Sequence, residues 1–210
     1  MMMSVKLWTA EERQVILTLA EGVFFRAMID GYVGGKGQKS TKVTTPDGRT
    51  IITYIEGPFR VVDEYWTTPQ SDASTGATTI IFSQILHGVF VETPVWGMGY
   101  GGRYPKEVIP FLKSALATAY RRHEFCGGRG PERYIEEGLT YENHSRQGVE
   151  LDSIGSSFTG FQGHEEIGVT GGKTLGFHHY FGMAMIWTTS NKQHTPAFHG
   201  QKPLEGGFLL

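Results

Sequence analysis

The stretch TIITYIEGPFRVVDEYW, residues 50–66, decides the fold, because β-branched and aromatic residues stand on both sides of a Gly-Pro pair. Such residues favour strands, and Gly57-Pro58 favours a tight turn between them. The stretch therefore predicts two strands, residues 50–56 and 59–66, that pair antiparallel. Pro46-Asp47-Gly48 marks another turn just before the first strand.

Further strand signals follow along the chain. Gly171-Gly172 separates two strand-like runs, residues 167–170 and 174–186, as two glycines do in the turn of a hairpin. Residues 67–79, rich in Thr, Ser, Asp and Gly, predict a surface excursion instead. The other segments with the composition of strands are residues 80–85, residues 89–92, a short segment ending at Trp96, residues 134–142 and residues 148–154.

Two segments have helical patterns. Thr9 followed by Glu12 is a capping-box pattern, and apolar residues at helical spacing then predict a helix over about residues 10–30. Pro105 opens a second helix that we expect to end near Arg122.

Two helices separated by blocks of adjacent strands favour an α+β fold over a doubly wound one, which would alternate strand and helix. We therefore predict a single α+β domain over residues 1–187, with a curved, mainly antiparallel sheet packed with two main helices. Residues 188–210, which are polar and contain two prolines, predict a loosely ordered C-terminal tail.

The composition and the charge of the chain exclude some classes of protein. The chain has 210 residues, of which 39% are hydrophobic, and this content is enough to exclude disorder for most of it. A net charge of -2 disfavours a nucleic acid or an anionic membrane as a partner. Cys126 is the only cysteine, so no internal disulfide can form, and residues 1–8 lack the apolar segment of a signal peptide. We expect a cytoplasmic location.

A glycine-rich motif precedes the second helix. Residues 97–102, GMGYGG, match the G-x-G-x-x-G pattern of dinucleotide sites, but no strand ending in an acidic residue follows at the required distance. We therefore predict no cofactor. Two interpretations stay open, a loop that holds an anion beside Arg103 and Lys106, and glycines that permit a bulge and close packing.

The densest cluster of histidines and acids contains His164, Glu165, Glu166 and the pair His178-His179. Adjacent residues of a strand point to opposite faces, so His178 and His179 cannot bind one ion, and we predict no metal. Across the predicted hairpin, Glu165 or Glu166 comes near His178. Such a pair is either a structural cross-strand contact or the centre of acid–base chemistry.

The remaining signal is an aromatic set on the predicted strands. Trp96, Met98 and Tyr100 share one face if the strand is regular, and they either fill the core or line a pocket. The candidate ligand-binding residues are the walls Tyr65, Trp96, Tyr100 and Tyr180 and the polar anchors Arg129, Glu165 and His178.

Several motifs follow one another in a recognisable order. They are residues 32–35, residues 57–65 with Asp63, residues 94–102, residues 128–131, residues 158–160, residues 163–167 and residues 172–173. Their order resembles a bacterial domain family of unknown function, whose members occur alone or behind an Xre-type helix-turn-helix in regulators. The resemblance implies a compact α+β domain and a sensing role, and it supplies no catalytic residues. Because only one helix precedes the first strands, we expect a stand-alone relative.

These observations favour a non-catalytic domain that binds or senses a small molecule. Two alternatives stay open. One is a hydrolase or isomerase-like enzyme with Glu165 and His178 as its acid–base pair. The other is a protein-interaction or self-assembly module. The sequence does not decide the oligomeric state, and a homo-oligomer is one of the possibilities.

Overall fold

The computed structural model describes residues 8–34, 39–147 and 157–186 of the chain. These residues form two helices, α1 (Ala10–Ala27) and α2 (Ile109–Arg122), and a single nine-stranded sheet. The nine strands are β1 (Ser40–Thr44), β2 (Thr50–Glu56), β3 (Phe59–Thr68), β4 (Ala73–Leu86), β5 (Val89–Arg103), β6 (Arg133–Glu136), β7 (Leu139–Gln147), β8 (Gly160–Val169) and β9 (Thr174–Ala184).

The sheet is antiparallel throughout and has the order β1-β2-β3-β4-β5-β9-β8-β7-β6. It is curved and does not close on itself, and both helices cover its inner face. The predicted α+β class is therefore confirmed. The pairing of β5 with β9 joins the N-terminal and C-terminal halves of the sheet into one layer.

The helices begin and end where the sequence indicates. Thr9 and Glu12 form the capping box of α1, each accepting the other's backbone N–H. A short π-helix, Met28–Val33, continues α1, so the predicted single helix changes its hydrogen-bonding pattern near its end. A 3-10 turn, Lys106–Val108, leads into α2, and His123 ends α2 in the left-handed conformation.

The predicted surface excursion at residues 67–79 is wrong. β3 extends to Thr68 and β4 begins at Ala73, so only residues 69–72 connect them. The threonines that indicate a loop in the sequence lie in the ladder instead, because a β-branched side chain packs well on a pleated surface. Thr78, for example, is buried between β3 and β5 and donates its hydroxyl to Asp63 at 2.8 Å.

The glycine-rich motif at residues 97–102 is part of a strand, which favours close packing, of the two interpretations left open, over a loop that holds an anion. These residues lie inside β5, and α2 begins only after the 3-10 turn. Trp96, Met98 and Tyr100 point to the inner face, as the alternation predicts. The glycines permit close packing: the ring of Phe181 covers Gly99.

The hairpins differ from prediction in one place. Residues 167–170 and 174–186 do flank a turn at Gly171-Gly172. Residues 134–142, however, are not one strand, because Glu137 and Gly138 both take positive φ and form the turn between β6 and β7. The strand predicted at residues 148–154 and the tail predicted at residues 188–210 lie outside the described residues.

The core lies between the helices and the inner face of the sheet and is dominated by aromatic rings. Phe24 of α1 packs against Trp96 of β5 and Tyr120 of α2, with ring centroids 5.3 and 5.9 Å away. Neither helix in the described part of the chain is long and apolar enough to cross a membrane.

Candidate functional site

A group of polar side chains lies buried on the inner face of the sheet, next to the aromatic core. β8 and β9 place Glu165 directly opposite His178, and β7 places Asn143 on the other side of Glu165. The sequence-based prediction that this hairpin brings Glu165 near His178 is confirmed by that register. All three side chains are buried.

A salt bridge holds the centre of this group. Arg129 donates from Nη2 to Glu165 Oε1 at 2.5 Å, and the Tyr141 hydroxyl donates to Glu165 Oε2 at 2.5 Å. Burial alone raises the pKa of Glu165, but the attraction and hydrogen bond of Arg129 outweigh it and lower that pKa overall. Glu165 and Arg129 therefore both carry their charges inside the protein.

The glycine-rich turn between α2 and β6 positions Arg129. Gly127 and Gly128 take φ values of 67° and 70°, a left-handed conformation that side-chain-bearing residues rarely adopt. The turn is closed by a backbone hydrogen bond from Arg129 to the Cys126 carbonyl. It directs the guanidinium group under the sheet, where Arg129 is 4% exposed.

His178 connects the salt bridge to β4, in the other half of the sheet. Its Nε2 lies 3.0 Å from the Ser74 hydroxyl, and its Nδ1 lies 3.8 Å from Glu165 Oε1. Burial, with the nearby charge of Arg129, lowers the pKa of His178 to about 4, so the ring is neutral at pH 7. Among the described residues Nδ1 has no hydrogen-bond partner.

Asp63 is a second buried carboxyl group. Its Oδ1 accepts hydrogen bonds from the hydroxyls of Thr78 and Tyr100, both at 2.8 Å. Burial raises the pKa of Asp63. The Tyr100 ring also lies 5.6 Å from the Arg129 guanidinium and is stacked near His178 at 6.0 Å, so it connects both carboxyl clusters.

A pocket of about 590 Å³ opens beside this group, between α2, the π-helix and strands β1 to β5. Four tyrosines contribute to its walls, and the buried His178 forms part of its floor. Three lysines but only one carboxylate, Asp72, line it, and no carboxylate in the described residues lies within salt-bridge distance of those lysines. The aromatic and cationic lining residues are Tyr32, Tyr65, Tyr100, Tyr104, Lys42, Lys106 and Lys113.

The structure brings some of the predicted site residues together. Tyr65, Tyr100 and His178 line the pocket, and the salt bridge of Arg129 and Glu165 lies directly behind it. Tyr100, Arg129, Glu165, His178 and Ser74 form one connected group on the inner face, and Tyr65 shares the pocket lining with it.

Trp96 and Tyr180 lie elsewhere. Trp96 is completely buried, donates from Nε1 to the Phe158 carbonyl at 2.8 Å and stacks on the Phe158 ring at 4.8 Å. Tyr180 donates to Asn143 Oδ1 at 2.5 Å and borders a different, open cleft of about 1710 Å³. Neither residue lines the pocket that contains Tyr65 and Tyr100.

Sequence reasoning missed the lysines and Ser74. Ser74 falls in the segment that sequence analysis assigns to a surface excursion, although its alternation with Gly76 and Thr78 is a strand signal. Lys106 lies in the 3-10 turn that leads into α2, and Lys113 lies in α2 itself. They are seven residues apart, a helical spacing that places both on the same side.

The neutral state of His178 predicts a pH-dependent stability. The unfolded chain binds a proton near the ordinary pKa of 6.5, whereas the folded chain binds it only near pH 4, so stability falls as the pH falls through this window. We expect a loss of about 2 kcal/mol between pH 7 and pH 5 in urea unfolding. Glu165 adds to the loss only below pH 4.5, and Asp63 opposes it.

The control for this prediction is His178→Gln, which removes the titrating ring and keeps a polar side chain. The variant is expected to show a flatter pH profile than the parent over the same interval. Equal slopes in both proteins would contradict the role assigned to His178.

The chain folds as a single α+β domain whose open sheet carries a buried ion pair beside a pocket bordered by lysines. Residues 87–184 match the family model described as "Domain of unknown function (DUF5680)". The match covers just under half of the chain, from the turn before β5 to the end of β9. It includes Arg129, Glu165 and His178 and leaves out Tyr65 and Ser74.

No curated protein and no solved structure matches the chain. The match of residues 87–184 to a family model confirms the resemblance to a domain family of unknown function. The bacterial origin of that family and its association with Xre-type regulators stay predictions.

Proposed function

We propose that this protein is a non-catalytic domain that binds a small molecule in the pocket beside His178. The pocket itself carries this proposal. A volume of about 590 Å³ lies in the range typical of small-molecule sites, which combine apolar walls with a few convergent polar groups. The tyrosine rings are those walls, and the lysines and His178 are the polar groups.

The charges of the lining indicate the chemistry of the ligand. Three ammonium groups face one carboxylate, so the pocket favours a negatively charged ligand such as an organic carboxylate or phosphate. Tyrosine rings bind a planar apolar body well because they present large rigid surfaces at low entropic cost. We therefore assign an aromatic or otherwise planar organic acid as the ligand class.

The buried salt bridge makes the floor of the pocket rigid. Arg129 and Tyr141 engage both oxygens of Glu165, and Ser74 engages one nitrogen of His178. The other nitrogen, Nδ1, is a buried polar atom without a hydrogen-bond partner in the described residues. That atom faces Glu165 Oε1 at 3.8 Å and is therefore part of the rigid floor.

The sensing role follows from the family resemblance. If relatives are joined to DNA-binding modules, as the resemblance implies, a domain of this kind reports its ligand occupancy to such a partner. Cys126 is the only cysteine and is a free thiol, in keeping with the reducing cytoplasm as the proposed location.

Charge reversal at the pocket tests the proposal. Calorimetric titration with phenyl phosphate and indole-3-acetate is expected to show binding that Lys106→Glu combined with Lys113→Glu weakens by at least about tenfold, which corresponds to about 1.4 kcal/mol. Lys106 is exposed and Lys113 is partly exposed, so the fold is expected to survive the changes.

Lys173→Glu is the matched control, because it makes the same charge change at the exposed turn between β8 and β9, outside the pocket. It is expected to leave the affinity unchanged. Equal losses in the control and in the pocket variant, or tighter binding of the uncharged analogues phenol and indole-3-acetamide, would contradict the assignment.

A second candidate function is acid–base hydrolysis, and one observation favours it. Ser74, His178 and Glu165 lie in the order hydroxyl, imidazole and carboxylate, with distances of 3.0 and 3.8 Å. This order is that of a nucleophile, its general base and an orienting acid. It ranks below binding because Glu165 is already engaged by Arg129 and Tyr141, and 3.8 Å is too long for a hydrogen bond to His178.

A further inference from the structure

We propose that the outer face of the sheet carries a divalent metal site formed by Glu142, His144 and Glu166. The site lies on the opposite face from the ligand pocket and is independent of it. It departs from the sequence-based prediction of no metal, which was argued for the pair His178-His179 and not for these three residues. Its metal is a borderline transition ion, with Zn²⁺ as the representative, because the donor set mixes carboxylate oxygens with an imidazole nitrogen.

Strand register assembles the three ligands. Glu142 on β7 is directly opposite Glu166 on β8, and His144 follows Glu142 on the same face two residues later. One ligand atom from each residue lies within 4.8 Å of the other two. Glu142 Oε2 is 4.0 Å from His144 Nε2. Ligand atoms around one tetrahedral zinc are about 3.4 Å apart, so small rotamer changes close the site.

The charges also point to a cation. Two carboxylates directly opposite each other on neighbouring strands repel and destabilise the pairing. A divalent ion between Glu142 and Glu166 converts that repulsion into attraction. The neighbouring groups leave one carboxylate oxygen of each glutamate available to the ion. Arg133 lies 3.7 Å from Oε1 of Glu142, so Oε2 faces His144. The Thr174 hydroxyl donates to Oε2 of Glu166 at 3.2 Å.

A row of imidazoles supports the ligand geometry. His144 stacks on His164 of β8 at 4.6 Å, and His164 lies 5.8 Å from His179 of β9. Stacking restrains the plane of the His144 ring, as outer partners of metal-binding histidines do. Two of the three ligands, Glu142 and His144, border the open cleft of about 1710 Å³, as do His164 and His179. A metal with three protein ligands on this side keeps further coordination positions accessible to solvent or to a bound molecule.

Titration with Zn²⁺ tests the site. The chain, freed of any histidine tag and stripped with a chelator, is expected to bind one Zn²⁺ in calorimetry at pH 7.5. His144→Ala, and Glu142→Gln combined with Glu166→Gln, are each expected to weaken that binding at least about tenfold. Because His144 is exposed and the glutamates are half-exposed, circular dichroism is expected to stay unchanged.

His87→Asn is the matched control, since it removes an imidazole from the distant turn between β4 and β5 at a positive φ that asparagine tolerates. It is expected to keep the parent affinity, as is Lys106→Glu in the ligand pocket. Absence of Zn²⁺ binding would overturn the site. Binding that survives the glutamate pair or His144→Ala, or that depends only on His164 and His179, would overturn this ligand set.

Discussion

Glu165→Ala is expected to lower the free energy of unfolding by about 3–5 kcal/mol, because it leaves the Arg129 guanidinium buried without its counter-charge. Glu165 is fully buried and Arg129 is 5% exposed at its side chain, so solvent cannot replace the lost partner. The variant also removes the acceptor of the Tyr141 hydroxyl. Urea unfolding followed by circular dichroism measures the change.

An exposed ion pair provides the control. Arg60 and Glu92 are joined at 2.9 Å on the outer face, with about a third or more of each side chain exposed, and Glu92→Ala is expected to cost less than about 1 kcal/mol. Replacing Arg129 and Glu165 together by methionine is expected to recover most of the loss, since no unpaired charge then remains. Equal effects at Glu165 and Glu92 would contradict the assigned role of the buried pair.

Trp96→Ala is expected to destabilise the protein by about 3–5 kcal/mol, the cost of a large cavity in an aromatic core. Trp96 is completely buried and packs against the rings of Phe24, Phe158 and Phe161. The change also removes its indole hydrogen bond to the Phe158 carbonyl. Thermal or urea unfolding reports the loss.

Trp66→Ala is the comparison. Trp66 is 40% exposed at the end of β3 and contacts Arg49, whose guanidinium lies 5.5 Å from its ring. Losing this exposed contact is expected to cost about 1 kcal/mol or less. A Trp96 variant with nearly unchanged stability but altered ligand binding would instead return Trp96 to the pocket wall.

Local sequence signals were sufficient for the fold class and for one pair of the site. Composition and two-residue turns predict hairpins directly, because the turn determines which residues of the two adjoining strands pair. The pairing of Glu165 with His178 followed from the Gly171-Gly172 turn in this way. The same reasoning is wrong at residues 67–79. Threonine and glycine favour a loop locally, but residues 73–79 form hydrogen bonds with strands on both sides and are therefore part of the sheet.

Contacts between distant segments could not be predicted. Arg129 reaches Glu165 across 36 residues, and Ser74 reaches His178 across 104 residues. Both contacts depend on the order β5-β9-β8-β7, and strand composition carries no signal for that order. The cluster of Glu142, His144 and Glu166 has the same cause, since β7 must lie beside β8 before the three residues meet.

Native mass spectrometry of the freshly purified chain tests the central claim, ligand binding in the pocket, most directly. Comparing the native mass with the denatured mass distinguishes noncovalently bound molecules from covalently attached groups. A mass increase that persists under denaturing conditions would favour the hydrolase, because it marks an acyl group on a residue such as Ser74. Subunit number appears in the same native spectrum.

We expect a bound organic acid that leaves on denaturation, is lost from the Lys106→Glu, Lys113→Glu protein and is kept by Lys173→Glu. A bare chain that also fails to take up added phenyl phosphate or indole-3-acetate would contradict ligand binding in the pocket. So would a retained molecule whose occupancy is the same in the pocket variant and in the control.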